Sequence, residues 1–276
     1  MRQLLASLPL GLWVLCFSSP AFSQTTVSQN ITQNTVWDLA GSPYVLTQNI
    51  SVSNGATLTI EPGVVVKADN FDFTDPLTVN GTLLAQGTAL QPIVFTDIAD
   101  DEYGGDTNGD GNSTAPHAGD WGGIRITANS GNSSLLEYCL FRYGGDDGIG
   151  DAALEIVGSS PTISNCTFFS NEKGLVVSGT GAPTFIDNTF EANVTAPIGL
   201  ALSAQPNFSG TVFLNNSREV VILEAFNYNA GGESYTLGQL DIAGIENIAY
   251  LVDEGGLTIN TGVTLTIEPG VVIKHD

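Results

Sequence analysis

From Leu135 to Asn216 the chain alternates apolar and polar positions in short bursts, each closed by asparagine or glycine. Setting Pro161, Pro183 and Pro206 in one column brings Ile163, Phe185 and Phe208 together two places on. Cys166, Asn188 and Thr211 then align, followed by Phe168, Phe190 and Phe213, and by Asn171, Asn193 and Asn216. The steps are 22 and 23 residues; one step of 27 earlier, Leu136, Cys139, Phe141 and Gly144 fall in the same columns. Alternation of period two predicts strands, and the closing Asn or Gly predicts a turn with positive φ. No long stretch carries a helical period. Steps of about 21 to 27 residues holding two or three short strands predict one coil of a parallel β-helix, with like side chains stacked about 4.8 Å apart. The Phe and Ile columns are read as core.

A second, longer-range repeat supports stacking. The segment from Gly55 to Lys67, GATLTIEPGVVVK, returns from Gly262 to Lys274 as GVTLTIEPGVVIK, and both mismatches are apolar. Self-similarity of this kind marks an architecture in which each repeat buries its apolar face against a neighbour. Residues 24–276 are therefore expected to form one continuous β-helix domain. Because the second copy stops two residues after its lysine, the domain is expected to be cut short, with further repeats or an anchoring domain following.

LTIEPGVVVK from Leu58 to Lys67, GTLLAQGTALQPIVFTD from Gly81 to Asp97, GDWGGIRI from Gly119 to Ile126, and the PTISNCTFF and PTFIDNTFEAN copies carry a family resemblance. The chain resembles secreted bacterial right-handed parallel β-helix repeat proteins, the pectate-lyase-like solenoids, over nearly all of its length after residue 23. The resemblance implies an all-β, single right-handed solenoid. It does not fix an activity, since related β-helices serve as polysaccharide lyases, hydrolases, adhesins and spacers.

Composition adds compartment and partner class. Thirty-two glycines and thirteen phenylalanines with 13% charged residues suit strands and turns. Residues 1–23 read as a signal peptide: Arg2 is followed by the apolar Leu4 to Phe17 stretch and by Ala21-Phe22-Ser23 at the cleavage positions. The chain is thus expected to be secreted or held at the cell surface, with no transmembrane segment. The net charge of −22, one unit more negative without Arg2, repels polyanions and argues against nucleic acid. It also disfavours a uronate polymer unless cations bridge the contact. Cys139 and Cys166 share a column in adjacent coils; their parallel side chains favour stacked buried thiols over a disulfide.

The stretch that breaks the repeat carries the chemistry. Between PIVFTD and WGGIRI, residues 97–120 form an acidic insertion with seven of the 29 acids and no lysine or arginine. Loops of this length within a compact fold are commonly functional. Asp106, Asn108 and Asp110 occupy alternate positions and are followed by Gly111 and Asn112, the opening of a DxNxDG calcium loop. His117 stands where an EF-hand would place its bidentate glutamate, so a carboxylate must be borrowed. If Ile124 and Ile126 stack on Leu154 and Ile156, Asp120 comes near the DDGIGD turn with Asp146, Asp147 and Asp151. Asp100, Asp101 and Glu102 in the loop's own stem are further candidates. The expected metal ligands are thus Asp106, Asn108, Asp110, Asn112, Asp120, Asp146, Asp147 and Asp151, and the expected cofactor is calcium.

No nucleophile-His-Asp arrangement is readable, and no catalytic residue is assigned. The leading expectation is an exported β-helix module for adhesion or glycan binding, its partner an extracellular polysaccharide or surface glycan. The alternative is a carbohydrate-active enzyme, a polysaccharide lyase or glycoside hydrolase, using the acidic corner.

Overall fold

The computed structural model describes residues 24–69, 76–130, 133–145, 152–224, 233–252 and 256–275. The expected leader at 1–23 lies outside them, as do Asp146, Asp147 and Asp151. Three parallel sheets of eight, nine and seven strands form the solenoid; the eight-stranded sheet ends at Val212–Leu214 and the seven-stranded one at Asn207–Ser209, the nine-stranded sheet continues to Ile273–His275, and Ser234–Leu237 and Thr264–Ile267 form a separate pair. Strands enter the sheets in rotation. Thr57–Ile60 lies in the seven-stranded sheet, Val65–Ala68 in the eight-stranded one and Leu77–Val79 in the nine-stranded one, and Thr82–Gln86 returns to the first. The fold is an all-β parallel solenoid of about nine turns, one for each strand of the nine-stranded sheet.

The register matches the sequence columns. Phe95 pairs with Phe141, Phe141 with Phe168, Phe168 with Phe190 and Phe190 with Phe213. Leu136, Ile163, Phe185 and Phe208 form a second inward column, and Ile124 and Ile126 lie on Leu154 and Ile156. Phe95, Phe141, Phe168 and Phe190 are fully buried, and their rings stack at centroid distances of 5.1, 4.8 and 4.6 Å. Offset stacking lets successive rings fill the axis without voids. Phe213 departs from the pattern, meeting Phe190 edge-on at 5.7 Å. Its strand is the last of the eight-stranded sheet, so no further ring holds it parallel.

The turn asparagines do a different job from the one expected. Positive φ falls on the preceding residue: Ser170 (54°), Ala192 (55°) and Asn215 (54°). Asn171, Asn193 and Asn216 follow, buried in a ladder. Asn171 Nδ2 donates to Asn193 Oδ1 at 3.1 Å, and Asn193 Nδ2 donates to Asn216 Oδ1 at 2.8 Å. Each amide also satisfies a carbonyl that the corner removes from the sheet, as Asn193 Nδ2 does for Phe168 O at 3.1 Å. A buried carbonyl left unpaired would cost free energy, which is why a primary amide occupies the column.

At the other corner Cys139 and Cys166 take the same structural place. Both are free and buried. Cys139 N donates to Cys166 Sγ at 3.4 Å, and Cys166 N to Asn188 Oδ1 at 2.9 Å, so sulfur substitutes for an amide oxygen as acceptor. Burial holds the Cys139 thiol well above its usual range.

The two copies of the long repeat share local form but not position. In both, a strand is followed by a turn at a glycine of positive φ, Gly63 at 81° and Gly270 at 89°. Val65–Ala68 then joins the eight-stranded sheet, whereas Ile273–His275 joins the nine-stranded one. An identical short motif therefore specifies a strand-turn-strand unit, and its neighbours decide which face receives it.

Candidate metal centre and its anchoring

The Ile93–Asp97 strand lies in the eight-stranded sheet and Ile124–Thr127 in the nine-stranded sheet, and residues 98–123 leave the coil between them. The segment is made of turns and bends and rejoins the solenoid at Trp121, which bridges to Gly144. Asp120 N donates to Tyr143 O at 2.9 Å and Gly145 N to Trp121 O at 2.8 Å. The connection after Arg142 thus runs beside the end of the insertion, as the register requires.

The wall beneath the segment supplies the positive charge it lacks. Lys67 is fully buried, and its Nζ donates to Asp100 O (2.9 Å), Gly105 O (2.7 Å) and Thr107 Oγ1 (3.0 Å). Burial lowers its pKa, while Asp100, Asp101, Asp97 and Asp106 oppose that shift. Arg142 sits 3.2 Å from Asp100 Oδ2 and 2.8 Å from Glu102 Oε2. Its guanidinium covers the Tyr103 ring at 4.8 Å, which places that tyrosine in the anchoring and not in a free aromatic platform. Sequence reading missed Lys67, yet a signal was present. Among residues 24–124 it is the sole lysine or arginine, so a seven-acid insertion had one nearby cation to turn to.

Asp100 and Glu102 share the Arg142 guanidinium, and three further acids gather at the tip. Carboxylate oxygens of Asp101, Asp106 and Asp110 lie within 4.8 Å of one another. Calcium-oxygen bonds of about 2.3 to 2.6 Å allow one ion to reach all three. Asp106 is held by backbone donors, its Oδ1 accepting from Gly109 N at 2.7 Å and its Oδ2 from Gly111 N at 2.9 Å. Gly111 has φ of 72°, where a Cβ would be strained. Asp110 Oδ2 accepts from Thr114 Oγ1 at 2.6 Å and Asn108 Nδ2 at 3.2 Å. The Asn112 amide meets Asp101 Oδ2 at 3.1 Å and Gly111 O at 3.0 Å. Turned one way its Nδ2 donates to both; turned the other, its oxygen joins a cluster of acceptors that a cation would draw together. Burial, and then the Asp106 charge, raise the Asp101 pKa.

Of the expected ligands, Asp106, Asn108, Asp110 and Asn112 thus share the loop tip. Asp120 is engaged elsewhere: its Oδ2 accepts from His117 N and lies 3.5 Å from His117 Nδ1. The carboxylate that meets Asp106 and Asp110 is Asp101, from the loop's own stem. Asp146, Asp147 and Asp151 fall outside the described residues.

Asp97 ends its strand in the inward parity of Ile93 and Phe95 and is 1% exposed. Its Oδ1 accepts from Ala99 N at 2.8 Å, while its Oδ2 has no hydrogen-bond partner among the described residues. Burial raises its pKa to about 6, against the backbone donor Ala99 and with a further push from Asp120.

Two family comparisons bear on the whole assembly. Residues 29–153 match the pectate-lyase-like β-helix domain, and residues 107–267 match the right-handed β-helix region. The chain belongs to the right-handed β-helix family. It is also similar to the protein bark beetle of Drosophila melanogaster, 34% identical over 113 residues that make up 35% of this chain and 4% of that protein. The chain therefore spans only a small part of that relative's length. No solved structure gives a significant match. Among the described residues no helix is long and apolar enough to cross a membrane. The β-helix fold is compatible with surface binding and with carbohydrate-active function.

Proposed function

We infer that this chain is an exported, extracellular or cell-surface β-helix module for adhesion or glycan contact, with calcium bound at the tip of residues 98–123. The carrying observation is the convergence of Asp101, Asp106 and Asp110 on a loop already fixed to the wall by Lys67 and Arg142. A bound cation offsets the repulsion that the wall cations leave unmatched, and a solenoid offers long rigid faces for multivalent contact. Calcium suits the site better than magnesium because its shell is larger and more flexible.

Calorimetry and thermal melting with chelator and with added calcium test the metal. Ligand linkage gives about 2.7 kcal/mol of stabilisation at a hundredfold excess over the dissociation constant. Asp106→Ala with Asp110→Ala removes that gain, Asp101→Ala reduces it, and Asp120→Ala retains it. A wild-type melting point indifferent to chelator, with no binding heat, overturns the metal assignment.

A second reading, a polysaccharide lyase or glycoside hydrolase, draws support from Asp97, since a carboxyl group near pKa 6 suits general acid work. Incubation with plant, algal and animal polysaccharides separates the two. Retention without products supports the binding module, whereas new reducing ends or unsaturated products support the enzyme.

A further inference from the structure

The long repeat reaches further than its matching residues, into the strands that precede each copy. Trp37 pairs with Ile60 and Tyr44 with Val66; in the second copy Leu237 pairs with Ile267 and Tyr250 with Ile273, the counterparts of Ile60 and Val66. Glu61 N donates to Trp37 O and Glu268 N to Leu237 O, both at 2.9 Å. Each tyrosine hydroxyl is fixed to the residue that follows the paired strand: Tyr44 accepts from Asp38 N, and Tyr250 donates to Gly238 O, both at 3.0 Å. Residues 234–275 thus rebuild the two-layer unit of residues 35–68 in the same register, set on another face of the solenoid.

The first unit shows what its later edge accepts. Thr82–Gln86 pairs with Thr57–Ile60 and Ile93–Asp97 with Val65–Ala68, placing Leu83 on Leu58, Ala85 on Ile60 and Phe95 on Val66. Ile60 and Val66 are thereby buried, whereas their counterparts Ile267 and Ile273 are 49% and 40% exposed. Among the described residues, Thr264–Ile267 and Ile273–His275 are the outer strands of their sheets. The same residues in the same register present the same acceptor row, with the same face turned inward. We propose that this edge binds, by strand addition, a β-coil of the kind formed by residues 82–97, with apolar side chains at the positions of Leu83, Ala85 and Phe95. Lys274 extends the match. Its counterpart Lys67 is enclosed by carbonyl oxygens of the segment that follows the covering coil, while Lys274 is exposed. The partner coil is therefore one that continues into a loop offering such oxygens to Lys274.

The test offers that coil in two ways to the full chain. In one arm a synthetic peptide of residues 80–97 is added; in the other, a second stretch of residues 68–97 is joined after Lys274, which raises its effective concentration. The expected result is amide exchange across residues 264–275 slowed at least tenfold, with the tethered arm deciding where the free peptide binds too weakly. Ile267→Lys with Ile273→Lys, at exposed positions that the fold tolerates, restores fast exchange, as does Leu83→Lys with Phe95→Lys within the added segment. Fast exchange in the tethered arm overturns the proposal. So does protection that either pair of changes leaves intact, or protection confined to residues 57–68, where the added segment would be replacing its own strands. Oligomers of the unmodified chain that Ile267→Lys with Ile273→Lys disperses, and that the peptide does not compete with, mean that a second copy fills the edge and overturn the partner assignment.

Discussion

Lys67 and Thr107 stand forty residues apart in sequence and meet at 3.0 Å, Nζ to Oγ1. The contact joins the solenoid wall to the acidic segment, and the same ammonium also binds two backbone carbonyls of that segment. Lys67→Ala therefore removes three hydrogen bonds from a charged donor and leaves their acceptors buried. The expected loss is about 3 to 5 kcal/mol, the usual range for breaking one side of a buried charged network. Hydrogen exchange followed by mass spectrometry checks the location: protection falls across residues 98–110 more than in the Phe168 and Phe190 strands. Equal loss in both places would mean that Lys67 stabilises the wall and not the loop.

Phe190 sits between a parallel ring at 4.6 Å and an edge-on ring at 5.7 Å. Replacing it by Ala opens a cavity in the centre of the stack and costs about 3 to 5 kcal/mol. Phe213→Ala costs less, because that ring has a stacking neighbour on one side and is 7% exposed. Denaturant unfolding of the two variants gives the comparison, and equal losses would argue against a stack that ends at Phe213.

Asn193 receives hydrogen bonds from Asn171 N and Nδ2 and gives them to Asn216 Oδ1 and Phe168 O. Asn193→Ala leaves several buried groups unmatched at once, and the expected cost is about 3 kcal/mol. Asn193→Asp keeps the acceptor and loses the donor, so it also destabilises above the carboxyl pKa and recovers partly in acid. Thermal melting at two pH values checks both variants.

Asp97 gives a pH signature of the opposite sign to an ordinary paired acid. Its folded pKa of about 6 exceeds the unfolded value of 3.8, so between those values the folded state holds a proton that the unfolded state has lost. Stability from this group is complete below pH 3.8 and falls as pH rises toward 6. Two units correspond to about 3 kcal/mol of penalty at neutral pH. Asp97→Asn, which keeps an acceptor for Ala99 N, is expected to raise stability at pH 7 and change little at pH 4. Melting curves at the two pH values decide it.

The columns of Phe168, Phe190 and Phe213 were legible because strand register in a solenoid is the sequence repeat itself, with one face buried at every step. The acidic cluster at the loop tip was legible in part. Asp106, Asn108 and Asp110 carry a local spacing, whereas Asp101 reaches them through a fold of the loop that no spacing encodes. Lys67 was hidden for a different reason. Its outward parity beside the inward Val66 predicts exposure, and only the segment that returns over it reverses that. Asp97 had a readable sign in its shared parity with Phe95, obscured because it closes the strand. The positive φ at Ser170 and Ala192 runs against residue preference, since the buried amide need of the next position takes precedence.

The asparagine ladder has a direction. Asn171 and Asn193 each give one amide proton forward to the amide oxygen of the later coil and the other back to a carbonyl of the earlier coil, Phe141 O and Phe168 O, so the forward bond of Asn171 has no acceptor until Asn193 is in place. A newly formed coil is thus incomplete by design and is finished by its successor. Growth of the cylinder along the chain then proceeds as a row of latches, each closed by the arrival of the next.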